Sequence, residues 1–115
     1  MGLLRTELAQ RIYTEHRKAL APDAPCALCE EKSLAEFRYW RIIPNLFPYD
    51  RIASVHDLLI PKLHCTERDL TDEAKSELLE IKETHCNNHY EYFCEAMHHR
   101  KSIPKHFHIH LLVIA

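Results

Sequence analysis

Residues 106–112 read His-Phe-His-Ile-His-Leu-Leu, and the apolar run continues through Val113 and Ile114. A strict alternation of imidazole and apolar side chains has the period of a β-strand, in which successive side chains point to opposite faces. The pattern predicts a strand with His106, His108 and His110 on one face. Phe107, Ile109 and Leu111 take the other face and pack on a core. Histidine has an ordinary pKa near neutrality and is a common metal ligand. Three of them about 6.6 Å apart along a strand can meet one phosphate-sized or metal-sized object. The plain alternative is a strand whose polar side happens to be histidine-rich. Water-facing strand positions are more often filled by Thr, Lys, Glu or Arg.

A length of 115 residues predicts one domain. The formal net charge of -2 argues against nucleic acid as a partner, since general nucleic-acid binders are usually basic. Gly2 is the only glycine, so a glycine-rich phosphate cradle is excluded. No apolar run approaches the roughly 20 residues of a membrane span, and no signal-peptide core is present. The five cysteines, an odd number, read as reduced thiols in a cytoplasmic protein rather than as a disulfide frame.

Along the chain, Met1-Gly2-Leu3-Leu4-Arg5-Thr6 fits the short N-myristoylation pattern. No membrane association is expected unless Gly2 is acylated. Leu4, Leu8, Ile12 and Leu20 form the apolar stripe of a helix over residues 3–20, ended by Pro22 and Pro25. Phe37 to Ile43 reads as a strand stopped by Pro44, and residues 45–50 as a turn-rich loop. Val55 to Ile60 is a second strand, closed by Pro61. Thr71 caps a helix with acids in its first turn, continued by Leu78, Ile81 and His85 and stopped near Asn87-Asn88. Tyr90 to Met97 fits a helix or a strand. A strand is favoured because the histidine strand needs an antiparallel neighbour, with residues 102–105 as the turn between them.

Cys26-Ala27-Leu28-Cys29 puts two thiols on one side of a tight turn, which is half of a tetrahedral zinc site. His64, just past the strand end at Pro61, and His106, at the start of the histidine strand, are candidates for the other two ligands. A redox pair would normally follow a βαβ strand, and none precedes Cys26. A pair of free cysteines is the plain alternative. His85 and His89 lie at helical spacing and His98-His99 are neighbours, but nothing supplies them with further ligands, so they read as surface residues.

The His-φ-His-φ-His-φ-φ run resembles the signature of the histidine-triad superfamily of nucleotide hydrolases and transferases. The resemblance extends to Arg41-Ile42-Ile43-Pro44-Asn45-Leu46-Phe47-Pro48-Tyr49, to His56-Asp57-Leu58-Leu59-Ile60-Pro61-Lys62-Leu63-His64, and to the Thr71-Asp72-Glu73 helix start. It covers residues 26–115, with residues 1–25 as an N-terminal helical extension of one domain. It implies an α+β fold, an antiparallel sheet with one long helix packed on it, to which the apolar stripe of residues 3–20 adds an extra N-terminal helix. It also implies a nucleophile at His108, with His110 and His56 near the phosphate and Asn45 beside the ribose hydroxyls. In zinc-bearing members the positions matching Cys26, Cys29, His64 and His106 hold the metal. A homodimer is among the expected assemblies.

The expected partner is a small-molecule nucleotide. A neutral imidazole nitrogen of His108 can attack phosphorus and divide one hard step into two. For that, its other ring nitrogen must give its hydrogen to a fixed acceptor. His110 and His56 can then donate to phosphate oxygens as charge builds up. The expected activity is hydrolysis or transfer of a nucleoside monophosphate from a phosphoanhydride or phosphoramidate, through a nucleotidyl-histidine intermediate. The alternative is a zinc-stabilised nucleotide-binding or interaction module with little catalysis. One departure bears on this choice. The segment before the triad, glycine-rich in the family, is here Arg100-Lys101-Ser102-Ile103-Pro104-Lys105. Its cations and the Ser102 hydroxyl are expected to stand in for the missing amides.

Overall fold

A turn held by a carboxylate divides the first predicted strand, and Pro44, expected to stop it, is the last residue of its second part. In this computed structural model, which describes residues 4–101 and 103–115, strand β1 is only Ala35–Glu36 and β2 is Trp40–Pro44. The chain turns between them, where Phe37 N–H donates to Trp40 O at 2.8 Å. The Arg38 and Tyr39 amides point out of this turn. They are satisfied by the Glu77 carboxylate at 3.1 and 2.6 Å, so no continuous strand forms over 37–43. Strand β3 spans Ala53–Pro61, β4 Tyr92–Cys94 and β5 Ile109–Ile114. The sheet order is β1-β2-β3-β5-β4 with every pair antiparallel. The segment that fitted either helix or strand is thus a strand, though a short one, and it flanks β5 as the neighbour argument required.

Register sorts the side chains onto two faces. Ile42, Leu59 and Ile109 lie opposite one another on one face, with Trp40, Phe107 and Leu111 in the same buried cluster. Helix α3 (Asp72–Ile81) covers this face. Trp40 Nε1–H donates to Ala74 O at 2.8 Å and ties the sheet to that helix. The other face carries Ile43, Leu58 and Ile60 under Leu28 of the single-turn helix α2 (Ala27–Glu30). It also carries the histidines, since His110 pairs with Leu58 and His56 with Leu112. Both faces of the histidine strand are therefore buried. His56, His106, His108 and His110 are 5%, 1%, 4% and 5% exposed, so this is no water-facing side.

The ladder begins later than the alternation does. Ile109 is the first residue of β5, and residues 106–108 precede it. There the backbone bonds elsewhere: Phe107 N–H donates to Cys65 O at 2.8 Å. The helix after Thr71 starts as its cap predicts, with Thr71 Oγ1 accepting from Ala74 N–H at 3.1 Å. It does not stop at Asn87. A π turn (Lys82–Cys86) follows α3 directly, and α4 (Asn87–His89) follows the turn. Thr84 Oγ1 donates back to Glu80 O at 2.7 Å, the side-chain bonding that loosens a helix locally. Tyr90, with φ -131, ends it.

Helix α1 (Glu7–Ala19) is capped by Thr6, whose hydroxyl accepts from Ala9 N–H at 3.2 Å. The stripe that predicts this helix is not what buries. Leu8 and Ile12 are 64% and 54% exposed, and Leu4 and Leu20 are exposed as well. The helix lies instead with Tyr13 and His16 against Phe47. Gly2 falls outside the described residues, so the acylation pattern has no structural counterpart here. Among the described residues no helix is long and apolar enough to cross a membrane.

Candidate functional site

One helical turn sets the first half of the site. Cys29 N–H and Glu30 N–H both bond Cys26 O, at 3.1 and 3.3 Å, which brings the two thiols to the same side of α2. His64 follows the end of β3 and His106 precedes β5, so two adjacent strands deliver the imidazoles. Cys29 Sγ lies 3.3 Å from His64 Nδ1 and 3.4 Å from His106 Nδ1, and Cys26 Sγ lies 3.6 Å from His106 Nδ1. All four ligand atoms fall within 4.8 Å of one another. This is the one such cluster among the described residues. The His85 and His89 rings lie tilted with centroids 4.5 Å apart, and His98 and His99 lie exposed in a turn, each pair outside any such group.

The donor set fits a metal. A tetrahedral ion with metal–sulfur bonds of about 2.3 Å and metal–nitrogen bonds of about 2.0–2.1 Å puts neighbouring S and N atoms roughly 3.5 Å apart. His106 Nε2–H donates to Pro61 O at 3.1 Å, and a carbonyl can only accept. The hydrogen is therefore fixed on Nε2, and Nδ1 presents its lone pair to the cluster. Burial pushes the Cys29 thiol up to about 11, with the neighbouring Cys26 thiol adding to the rise and Arg41 opposing it.

Arg41 is a residue that sequence reasoning left without a role. Its guanidinium donates to the backbone carbonyls of Leu28 (2.7 Å), Cys29 (3.3 Å) and Glu31, and to Ser33 Oγ at 3.1 Å. A strand cation thus fastens the knuckle to β2. The signal in the sequence was a lone arginine between Trp40 and Ile42 on an otherwise apolar strand.

The remaining histidines form a second group with defined hydrogens. His108 Nδ1–H donates to His106 O at 2.9 Å, leaving Nε2 unprotonated. Burial, ahead of the Lys101 charge, holds its pKa below the usual imidazole value. Tyr49 N–H donates to His56 Nδ1 at 2.9 Å, so His56 carries its hydrogen on Nε2. That hydrogen goes to His110 Nδ1 at 2.8 Å, so His110 carries its own on Nε2. His56 is held down to about 4 and His110 to about 3, in each case first by burial. Both rings are neutral near neutrality, and His110 Nε2–H is a donor. Tyr49 stacks on His110 with ring centroids 5.1 Å apart and its Oη 3.5 Å from that nitrogen. Side-chain type does not single out Tyr49 either, because its main contribution is a backbone amide.

A cavity of about 660 Å³ opens onto this group, with His108, His110, His64, Asn45, Arg5 and Tyr13 in its wall. His56 does not line it and instead backs His110. Asn45 keeps its side-chain oxygen on Phe47 N–H at 2.9 Å, and its amide nitrogen lies 3.2 Å from His56 Nε2. Ser102 lies outside the described residues. Of the cations beside it, Lys105 lines the cavity, while the Lys101 ammonium sits 5.0 Å from the centre of the Phe107 ring. The arrangement pairs an unprotonated nitrogen with a neighbouring N–H donor in one recess. That pairing suits attack on a centre whose oxygens gain negative charge. Comparison with family models gives no match for this chain, and comparison with curated proteins gives none either.

Proposed function

We propose that the protein is a zinc-bearing enzyme of the histidine-triad type, which hydrolyses or transfers a nucleoside monophosphate group carried on a phosphoanhydride or phosphoramidate. The observation that carries this reading is the pair His108 and His110. One presents a bare Nε2 and the other an Nε2–H donor to the same cavity. His108 Nε2 attacks phosphorus. The leaving group departs with its bonding pair, and a nucleotidyl-His108 phosphoramidate forms. His110 donates to a phosphate oxygen or to the departing atom, and water or another acceptor then displaces His108. Asn45, at the cavity wall, serves the ribose hydroxyls.

Two thiolates and two imidazoles are a soft-to-borderline donor set, which favours zinc over calcium or magnesium. When bound, zinc supplies a structural crosslink between the α2 knuckle and the ends of β3 and β5. His106 is committed to that cluster through Nδ1, so it is not the nucleophile. The competing reading is a metal-stabilised nucleotide-binding module, favoured by the absence of glycine from residues 100–105.

Turnover of an adenosine phosphoramidate by wild type and by His108→Asn separates the two. The enzyme reading expects turnover that the substitution abolishes. Equal rates, or no turnover of any nucleotide with binding retained, would establish the module.

A further inference from the structure

Helix α1 is placed where hydrophobic burial does not put it. None of its residues is buried, and Leu8 and Ile12 of its apolar stripe are exposed to solvent. What holds it is a polar latch on the loop between β2 and β3. Thr6 N–H and Oγ1–H donate to the two Asp50 carboxylate oxygens at 2.8 and 2.9 Å. Arg51 N–H donates to Leu4 O at 3.2 Å, and Arg5 Nε–H to Phe47 O at 2.8 Å. At its other end the chain runs through Pro25 into Cys26, a member of the metal cluster. The helix is therefore a strap fixed at one end to the loop that carries Asn45 and Tyr49, and at the other to the knuckle.

Between these ends the strap forms one side of the cavity that His108 and His110 enter. Tyr13 and His16, one turn apart and so on one face of the helix, meet Phe47 with ring centroids 5.1 and 4.8 Å away. The Arg5 guanidinium lies 4.3 Å from the Tyr13 ring and 4.9 Å from the Tyr49 ring, so a cation joins this aromatic group to the histidine pair. The cavity volume, about 660 Å³, is in the range that takes a ligand of nucleotide size.

We propose that helix α1 supplies a nucleobase subsite, in which Tyr13, His16 and Phe47 form the surface on which the base of the substrate stacks while its phosphate meets His108 and His110. This rests on the nucleotide reading of the histidine pair and adds to it the residues that recognise the other end of the substrate. Every nucleobase has a π-face, so an aromatic surface of this kind binds bases with little preference among them. The residues that the fold devotes to the strap, otherwise an unburied appendage, thereby gain a use.

The test is calorimetric titration with two probes, adenosine 5′-monophosphate and ribose 5-phosphate, the second carrying a hydroxyl on C1 in place of the base. Wild type should bind the nucleotide at least about tenfold more tightly, the lower part of what one stacked base contributes. Tyr13→Ala and Phe47→Leu should each lose most of that margin while keeping wild-type affinity for ribose 5-phosphate. Ile12→Ala, on the solvent side of the same helix, should change neither affinity. The subsite is overturned, with the phosphate reading intact, if wild type binds both probes equally. It is likewise overturned if the Tyr13 and Phe47 variants bind the nucleotide as wild type does, or lose both probes in proportion, since a strap that merely shapes the site would act on both. Wild type that binds neither probe overturns the nucleotide reading and the subsite together.

Discussion

The backbone amide of Tyr49 donates to His56 Nδ1 at 2.9 Å, and this one bond decides where the hydrogens lie on two rings. With Nδ1 of His56 occupied as an acceptor, its Nε2–H must point to His110 Nδ1, and His110 must carry its own hydrogen on Nε2. In the proposed reaction His56 would thus act through His110. His56→Phe should lower turnover about 10–100-fold, the usual effect of removing an orienting partner. The nucleotidyl adduct on His108 should still form, as judged by mass spectrometry after alkaline denaturation. A variant with full activity would show that His110 keeps its tautomer without this partner.

His110 and His106 should fail in different ways. His110→Ala removes one preorganised donor and should slow turnover by about 10²–10³-fold with metal content unchanged. His106→Ala should first lose metal and melting temperature, and activity only as a result. His108→Asn should lose the adduct while keeping metal and fold. Zinc assay, thermal melting and adduct mapping on the three variants check the set. An adduct on His110 or His56 would reverse the roles given to these rings.

The metal cluster should contribute directly to stability, because a site assembled from three separate segments exists only in the folded chain. Purified protein should contain about one zinc per chain. Cys29→Ser should lower both zinc content and melting temperature, whereas Cys65→Ser, outside the cluster, should leave the zinc in place. Protein that is free of metal yet melts at an unchanged temperature would remove the crosslink from the account.

Acid should destabilise the protein through the buried histidine pair. Burial first, then neighbouring positive charge, holds folded His56 to about 4 and His110 to about 3, against 6.5 for a free imidazole. Below about pH 6.5 the unfolded chain binds protons that the folded chain refuses. The stability these groups permit is therefore complete above that pH and is lost as pH falls toward the folded values. Each ring steepens the loss by at most about 1.4 kcal/mol per pH unit. Urea midpoints from about pH 7.5 down to about pH 5 should fall less steeply for His110→Gln than for wild type. Protonation of the metal ligands is common to both proteins and drops out of the comparison.

The parts of this molecule that could be read from the chain are those in which side-chain type and spacing carry the physics. Cys26 and Cys29 are brought together by a single turn, and Thr71 caps its helix with its own hydroxyl, so both were visible locally. The apolar face of the histidine strand was visible as period two. The covering of its polar face was not, because the Tyr49 ring that packs on His56 and His110 comes from a loop far along the chain. The Tyr49 amide and the Pro61 and His106 carbonyls that orient the rings belong to the backbone, and every residue type has them. The exposed stripe of α1 misled for the opposite reason. Its periodicity marks a helix correctly but says nothing about which side the Thr6–Asp50 latch turns inward.

Arg41 bears on how a metal would come and go. Its bonds to the Leu28 and Cys29 carbonyls order the knuckle by means that owe nothing to an ion. The two thiols are thus held on one side in advance, and the chain presents a template rather than a coil. Cys29 and His64 are exposed while His106 is 1% exposed, so the outer pair faces arriving ions and the inner ring completes the shell. Loading and release of an ion would then be matters of access at the surface, and neither would need the sheet to open. A chelator should draw the metal from folded protein faster than the protein unfolds.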